Sequence, residues 1–132
     1  MRLSLRAAGS ADLDLVWQRY SLPELWTTWA PQIRRVEVSE PTLAVGVTGM
    51  VFGVIPNVGA SFEVVEYVED EHRWAWDVVA GPVRMHLDHR SEARIGGGTS
   101  TTLIVDGPVA AVLTYAPVAR ISLESLVRRP KA

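Results

Sequence analysis

Arg73-Trp74-Ala75-Trp76-Asp77-Val78-Val79-Ala80, then Gly81-Pro82, then Val83-Arg84-Met85-His86-Leu87-Asp88-His89-Arg90 is the stretch on which the fold turns. Its apolar side chains recur at every second position. Trp74, Trp76 and Val78 share one face of an extended chain, and so do Val83, Met85 and Leu87, because successive side chains on a strand point to opposite faces. Gly81-Pro82 is a turn signal, and two such runs joined so tightly pair as an antiparallel hairpin.

The same pattern extends outward in both directions. Strands are expected at Ile33–Glu40, Leu43–Ile55, Ala60–Glu69, His72–Ala80, Val83–Ala93 and Ser100–Asp106. They are separated by Glu40-Pro41, Pro56-Asn57, Asp70-Glu71, Gly81-Pro82 and Gly96-Gly97-Gly98. With connections this short, consecutive strands form a meander. Leu3 and Leu5 alternate with Arg2, Ser4 and Arg6 as one further strand at the start. Leu13, Val16, Trp17 and Tyr20 are spaced as one stripe of an amphipathic helix, with Ser10 or Asp12 available to cap it. Leu22, Leu25, Trp26 and Trp29 repeat the stripe in a second short helix. Ser21-Leu22-Pro23-Glu24 has the spacing of a capping box, and Pro31 marks the stop. Beyond Gly107-Pro108 a long helix runs from Val109 toward Val127, and Pro117 should kink or break it near Tyr115-Ala116. The order is strand, two helices, six strands, helix: an α+β fold of about seven antiparallel strands in one domain, residues 1–132, with the sheet curled around the terminal helix. A sheet covered in this way can leave a ligand cavity beneath its helix.

Composition narrows the chemistry. The 132 residues are 48% hydrophobic and 21% charged, and they contain no cysteine. Disulfides, thiolate metal sites and a cysteine nucleophile are therefore excluded. A net charge of −2 argues against nucleic-acid binding. Lys131 is the sole lysine, so a buried Schiff-base lysine is unavailable. The uncharged run from Pro41 to Phe62 is long enough for a membrane span. Its Gly46, Gly49, Gly53, Gly59 and Pro56 and its β-branched residues favour two strands instead. No secretory signal is read at Met1-Arg2-Leu3-Ser4-Leu5-Arg6, and the chain is expected to be cytoplasmic.

Three stretches carry a family resemblance. They are Asp14-Leu15-Val16-Trp17 through Leu22-Pro23-Glu24-Leu25 to Trp29-Ala30-Pro31-Gln32-Ile33-Arg34-Arg35-Val36-Glu37; Phe62–Tyr67 with His72–Trp76; and Met85–Arg90 with Gly96-Gly97-Gly98-Thr99 before the terminal helix. With these the chain resembles the helix-grip (SRPBCC) superfamily, which includes the birch-pollen allergen, lipid-transfer START domains and polyketide cyclase/dehydrase-like proteins. The resemblance implies a helix-grip fold and a cavity for a small, largely apolar ligand, aromatic or polyketide- or lipid-like. It leaves open whether the chain is a carrier or sensor, or a cyclase/aromatase-like enzyme. A protein-interaction module with a filled cavity is a third possibility. No cofactor is implied, and the choice between monomer and homodimer stays open.

Residues able to serve such a cavity can be named. Trp74 and Trp76 would wall it, Trp26 and Trp29 would close one end, and Met50, Phe52 and Met85 would add adaptable lining. His86 and His89 are three apart on a strand and face opposite ways, so they do not chelate one metal. His89 falls on the apolar face, as a core histidine or as a polar anchor or acid–base group. Tyr115 is either a helix-surface residue or a hydroxyl over the cavity mouth. Glu66 turns inward if Phe62, Val64 and Val68 do, unless a bulge releases it to water or an arginine. In the enzymatic reading His89, Tyr115 and Glu66 would handle protons.

Overall fold

The computed structural model describes residues 1–53 and 59–130. Seven strands form one antiparallel sheet: β1 (Arg2–Gly9), β2 (Arg35–Val38), β3 (Thr48–Phe52), β4 (Gly59–Val68), β5 (Arg73–Ala80), β6 (Val83–Ala93) and β7 (Thr99–Asp106). Their spatial order is β1-β7-β6-β5-β4-β3-β2. Strands β2 to β7 are thus the expected meander, and β1 closes onto β7 with Leu5 opposite Leu103. Three helices cover the sheet: α1 (Leu13–Ser21), α2 (Trp26–Trp29) and the long α3 (Val109–Leu126). This is the α+β helix-grip architecture.

The deciding hairpin forms in the expected register. Trp74 lies opposite His89, Trp76 opposite Leu87 and Val78 opposite Met85, so these six side chains share one face. On β7 the alternation is complete, with Thr99, Thr101, Leu103 and Val105 buried. The β6–β7 turn uses Gly96, Gly97 and Gly98 at φ 92°, 112° and 83°, a region that L side chains rarely adopt.

Four local expectations need correction. The run Leu43–Ile55 is not one strand. Gly46 at φ 92° turns the chain, Leu43 and Val47 drop into the core, and pairing begins only at Thr48. The Pro56-Asn57 turn lies outside the described residues. Strand β2 is shorter than expected, because the Ile33 amide donates to Ala30 in a turn instead of joining the sheet. The second short helix begins as a 3₁₀ turn at Pro23–Leu25, without the Ser21–Glu24 capping box, and Asp12 precedes α1 without a side-chain cap bond.

Pro117 does not break α3. The helix runs through it, and its missing N–H leaves the carbonyl of Leu113, a residue exposed to 53%, where water can serve it. The far end of α3 is fastened to α1 and to the connection that leads into it from β1. The Ala11 amide donates to the Val127 carbonyl at 3.0 Å, and Arg19 Nη1 donates to the carbonyls of Leu126 and Arg128 at 2.6 and 2.8 Å. These bonds satisfy carbonyls that a helix C-terminus leaves unpaired. At Gly9 a Cβ would fall 2.3 Å from the Val127 oxygen, so glycine is what permits this approach.

Among the described residues α3 is the one helix long and apolar enough to cross a membrane. Its Val112, Ala119, Leu123 and Leu126 are buried in the core against the sheet.

Candidate functional site

The inner face of the sheet, α2 and α3 enclose a cleft in two parts. The inner chamber, about 40 Å³, lies among Tyr20, Trp26, Trp29, Trp74, Trp76, His89 and Leu103 on one side and Tyr115, Ala119, Ser122 and Leu123 of α3 on the other. The outer chamber, about 270 Å³, is lined by Val51, Phe52, Ala60, Val78, Met85 and Leu87. Gln32, Ile33, Trp76 and Tyr115 border both, so the chambers adjoin through these four residues. No Lys, Arg, Asp or Glu lines either chamber among the described residues.

The inner chamber is built from aromatic rings. The Trp74 indole and His89 imidazole stack with centroids 3.9 Å apart and planes within 5°. Tyr20 meets both edge-on at 5.4 and 5.3 Å, and Trp26 and Trp76 approach Trp74 at 6.2 and 5.1 Å. Offset and edge-on contacts of this kind add to the area each ring buries. Ser122 Oγ donates to Gln32 Oε1 at 2.5 Å, tying α3 to the loop before β2 across the cleft.

Polar atoms divide into satisfied and unsatisfied sets. Trp26 Nε1 donates to the Tyr20 carbonyl at 2.9 Å, and Trp29 Nε1 to the Arg19 carbonyl at 3.0 Å. By contrast, Trp74 Nε1 and Trp76 Nε1 in the cleft wall, like Trp17 Nε1 and Arg73 Nε elsewhere, are buried without a hydrogen-bond partner among the described residues. Such orphaned donors are rare in folded proteins. His89 Nδ1 lies 3.2 Å from the Trp74 carbonyl. A carbonyl only accepts, so Nδ1 carries the proton and neutral His89 keeps an accepting lone pair on Nε2.

Desolvation pushes the His89 pKa down from the usual 6.5 to about 3, outweighing the opposing pull of the Trp74 carbonyl and Asp88. Burial lifts the Tyr115 phenol to about 12 and Tyr20 well above the phenol range. The cleft is therefore uncharged at neutral pH. Above about pH 6.5 His89 is neutral whether folded or unfolded. Between about pH 6.5 and 3 the unfolded chain takes up a proton that the folded chain refuses, so stability falls with pH, by up to about 1.4 kcal/mol per unit. In urea titrations from about pH 7 to pH 4, the stability difference between the wild type and His89→Leu should move against the wild type as pH falls. A difference independent of pH would contradict the buried neutral imidazole.

The structure brings Trp26, Trp29, Trp74, Trp76, His89 and Tyr115 together in the inner chamber, with Met85 in the outer one. Met50 goes elsewhere: it stands opposite Ser61, on the face turned away from the cleft, and borders a separate outer-face depression. Phe52 lines the outer chamber, and its ring carries the Arg35 guanidinium at 4.1 Å.

Glu66 is excluded by a β-bulge. The β4–β5 register shifts between Val64 and Glu66, so Phe62 and Val64 face inward before the bulge and Tyr67 after it, against Trp17. Glu66 is released outward to Arg73 Nη2 at 2.6 Å, with its side chain 39% exposed. Replacing Glu66 by Gln should change stability by no more than about 1 kcal/mol and leave ligand binding unaltered. A loss of binding would return the carboxylate to the site.

His86 faces outward to Asp77 at 2.7 Å, opposite to buried His89. No three His, Asp or Glu side chains converge on a metal-sized point among the described residues. Tyr20, Gln32 and Ser122 belong to the cleft but were not singled out in the sequence. Tyr20 sits on the apolar stripe of α1, where it reads as plain core. Gln32 and Ser122 gain meaning only from each other, across 90 positions.

No family model matches the chain, and no curated protein does so either. Solved structures do match. A protein of Nitrosospira multiformis superposes with TM-score 0.80 at 16% identity, over 96% of this chain and 94% of that one. A hypothetical protein of Helicobacter pylori gives TM-score 0.80 at 13% identity, over 96% and 86%. Ara h 8.0201 gives 0.77 at 11% identity, over 96% and 94%. The fold is thus the helix-grip fold of the Bet v 1 type. At these identities the likeness concerns the fold alone.

Proposed function

We propose that this single-domain protein binds a small, uncharged, largely apolar ligand in the cleft between sheet and α3. The observation that carries the reading is the 270 Å³ outer chamber, lined by apolar side chains and adjoining an aromatic inner chamber without a charged residue. An open apolar cavity with a few convergent polar groups is the usual form of a small-molecule site. It also weighs against an interaction module with a filled interior. Binding without turnover is favoured over a cyclase-like enzyme. Glu66 lies outside the cleft, and His89 is too weakly basic to hold a proton at neutral pH. The cysteine-free composition suits the cytoplasm.

Tryptophan fluorescence tests the reading, since Trp76 borders both chambers. Titration with an uncharged naphthalene derivative should quench the emission saturably, with one site per chain. Quenching that never saturates would overturn it.

A further inference from the structure

Resting on that reading, we infer that the ligand carries a neutral hydroxyl group that enters the inner chamber. There it donates to Nε2 of His89 and accepts from the Tyr115 hydroxyl and the Gln32 amide, while the apolar body of the ligand fills the outer chamber.

Three polar atoms of residues lining the inner chamber are not occluded and have no partner among the described residues. They are Nε2 of His89, Nε2 of Gln32 and Oη of Tyr115. The His89 ring bonds through Nδ1, to the Trp74 carbonyl, which leaves the Nε2 lone pair free. Gln32 is held through Oε1 by the Ser122 hydroxyl, so both of its amide hydrogens stay free to donate. Burial raises the Tyr115 phenol with no hydrogen bond opposing it, and its charge would raise Tyr20 in turn. The Tyr115 hydroxyl therefore lies deep in the cleft, on the side of Tyr20. The remaining polar groups are engaged or closed off. The Tyr20 hydroxyl is bonded to Thr101, the Trp26 and Trp29 indoles to backbone carbonyls, and the Trp74 and Trp76 nitrogens are occluded.

The kind of group follows from count, charge and size. One acceptor and two donors match a partner with one hydrogen to give and two lone pairs, which is a hydroxyl. A carbonyl would leave the His89 lone pair unserved. A carboxylate or ammonium would stand unpaired in a cleft that no Lys, Arg, Asp or Glu lines among the described residues. His89 and Tyr115 are not bonded to each other, so a group between them can serve both. The inner chamber, about 40 Å³, is little larger than the roughly 30 Å³ share of one water in the liquid. A hydroxyl lodged there lies close to every wall. The ring or chain that bears it is left to the larger chamber, across the junction at Gln32, Ile33, Trp76 and Tyr115.

Three probes of matched shape separate the possibilities: hydroxymethylnaphthalene, naphthaldehyde and ethylnaphthalene, each titrated calorimetrically against the full chain. The alcohol should bind about tenfold more tightly than the hydrocarbon, and about threefold more tightly than the aldehyde, which accepts but does not donate. Tyr115→Phe should weaken the alcohol and the aldehyde about threefold each, and leave ethylnaphthalene within about twofold of its wild-type affinity. His89→Leu should remove the alcohol's lead over the aldehyde. Tyr115→Phe takes away a single unpaired oxygen, so a folded variant is in hand even if His89→Leu is unstable. Equal binding of alcohol and hydrocarbon would overturn the inference and leave the cleft reading standing, with water serving the three atoms. Binding of the aldehyde at or above the level of the alcohol would overturn it as well, since His89 would then accept nothing from the ligand. If none of the three binds, the cleft reading itself fails.

Discussion

Replacing Trp74 by alanine should lower the free energy of unfolding by about 3–5 kcal/mol, the upper range for a single core substitution. Trp74 is 2% exposed and its ring touches Tyr20, Trp26, Trp76 and His89. Those rings come from α1, α2, β5 and β6. Removing the central indole leaves a hole that rings fixed by separate elements cannot easily close, so the cavity term adds to the lost transfer energy. The His89 imidazole also loses its stacking face. Urea unfolding of Trp74→Ala and Trp74→Phe separates the contributions, since the phenylalanine variant retains most of the stacking and should recover more than half of the loss. A cost below about 1 kcal/mol for the alanine variant would mean that the cluster is loosely packed.

The second large effect concerns binding. Val78 lies opposite Phe62 on one side and Met85 on the other, and it lines the outer chamber. Val78→Trp places an indole where the ligand's body would lie. Affinity for an uncharged naphthalene probe should fall about a hundredfold, roughly 2.7 kcal/mol. Stability should stay within about 1 kcal/mol of the wild type, because the new side chain fills existing space and tryptophan is well suited to a strand. Calorimetric titration and thermal unfolding on one sample separate the effects. Unchanged affinity would remove the outer chamber from the site.

Much of this was legible in the sequence because period-two alternation leaves one consistent arrangement for a hairpin. Trp74, Trp76 and Val78 against His89, Leu87 and Met85 follow from parity once Gly81-Pro82 is read as the turn. Parity fails where an extra residue is inserted. In β4 no single register could bury Phe62, Val64 and Tyr67 without also burying a carboxylate. The bulge uses one register before Val64 and the other after Glu66, so all three are directed inward and Glu66 goes to Arg73. Runs apolar on both faces carry no parity at all. In 41–53 the sheet register, and with it the outward placement of Met50, was set by Gly46 and by pairing to β4. Pro117 illustrates a different limit: the cost of a lost helical hydrogen bond depends on whether water can reach the freed carbonyl, and exposure is a tertiary property. The orphaned donors were invisible for the same reason. Whether an indole N–H finds a partner depends on a backbone carbonyl contributed by another element, as Tyr20 does for Trp26 and none of the described residues does for Trp76.

Native mass spectrometry of the freshly purified protein, beside Val78→Trp prepared identically, tests the central claim most directly. The wild type should carry a small organic adduct that is stripped by collisional activation, and the filled variant should run at the mass of the bare chain. An adduct retained equally by both, or a bare wild type that also fails to bind any uncharged naphthalene probe, would contradict a ligand site between the sheet and α3.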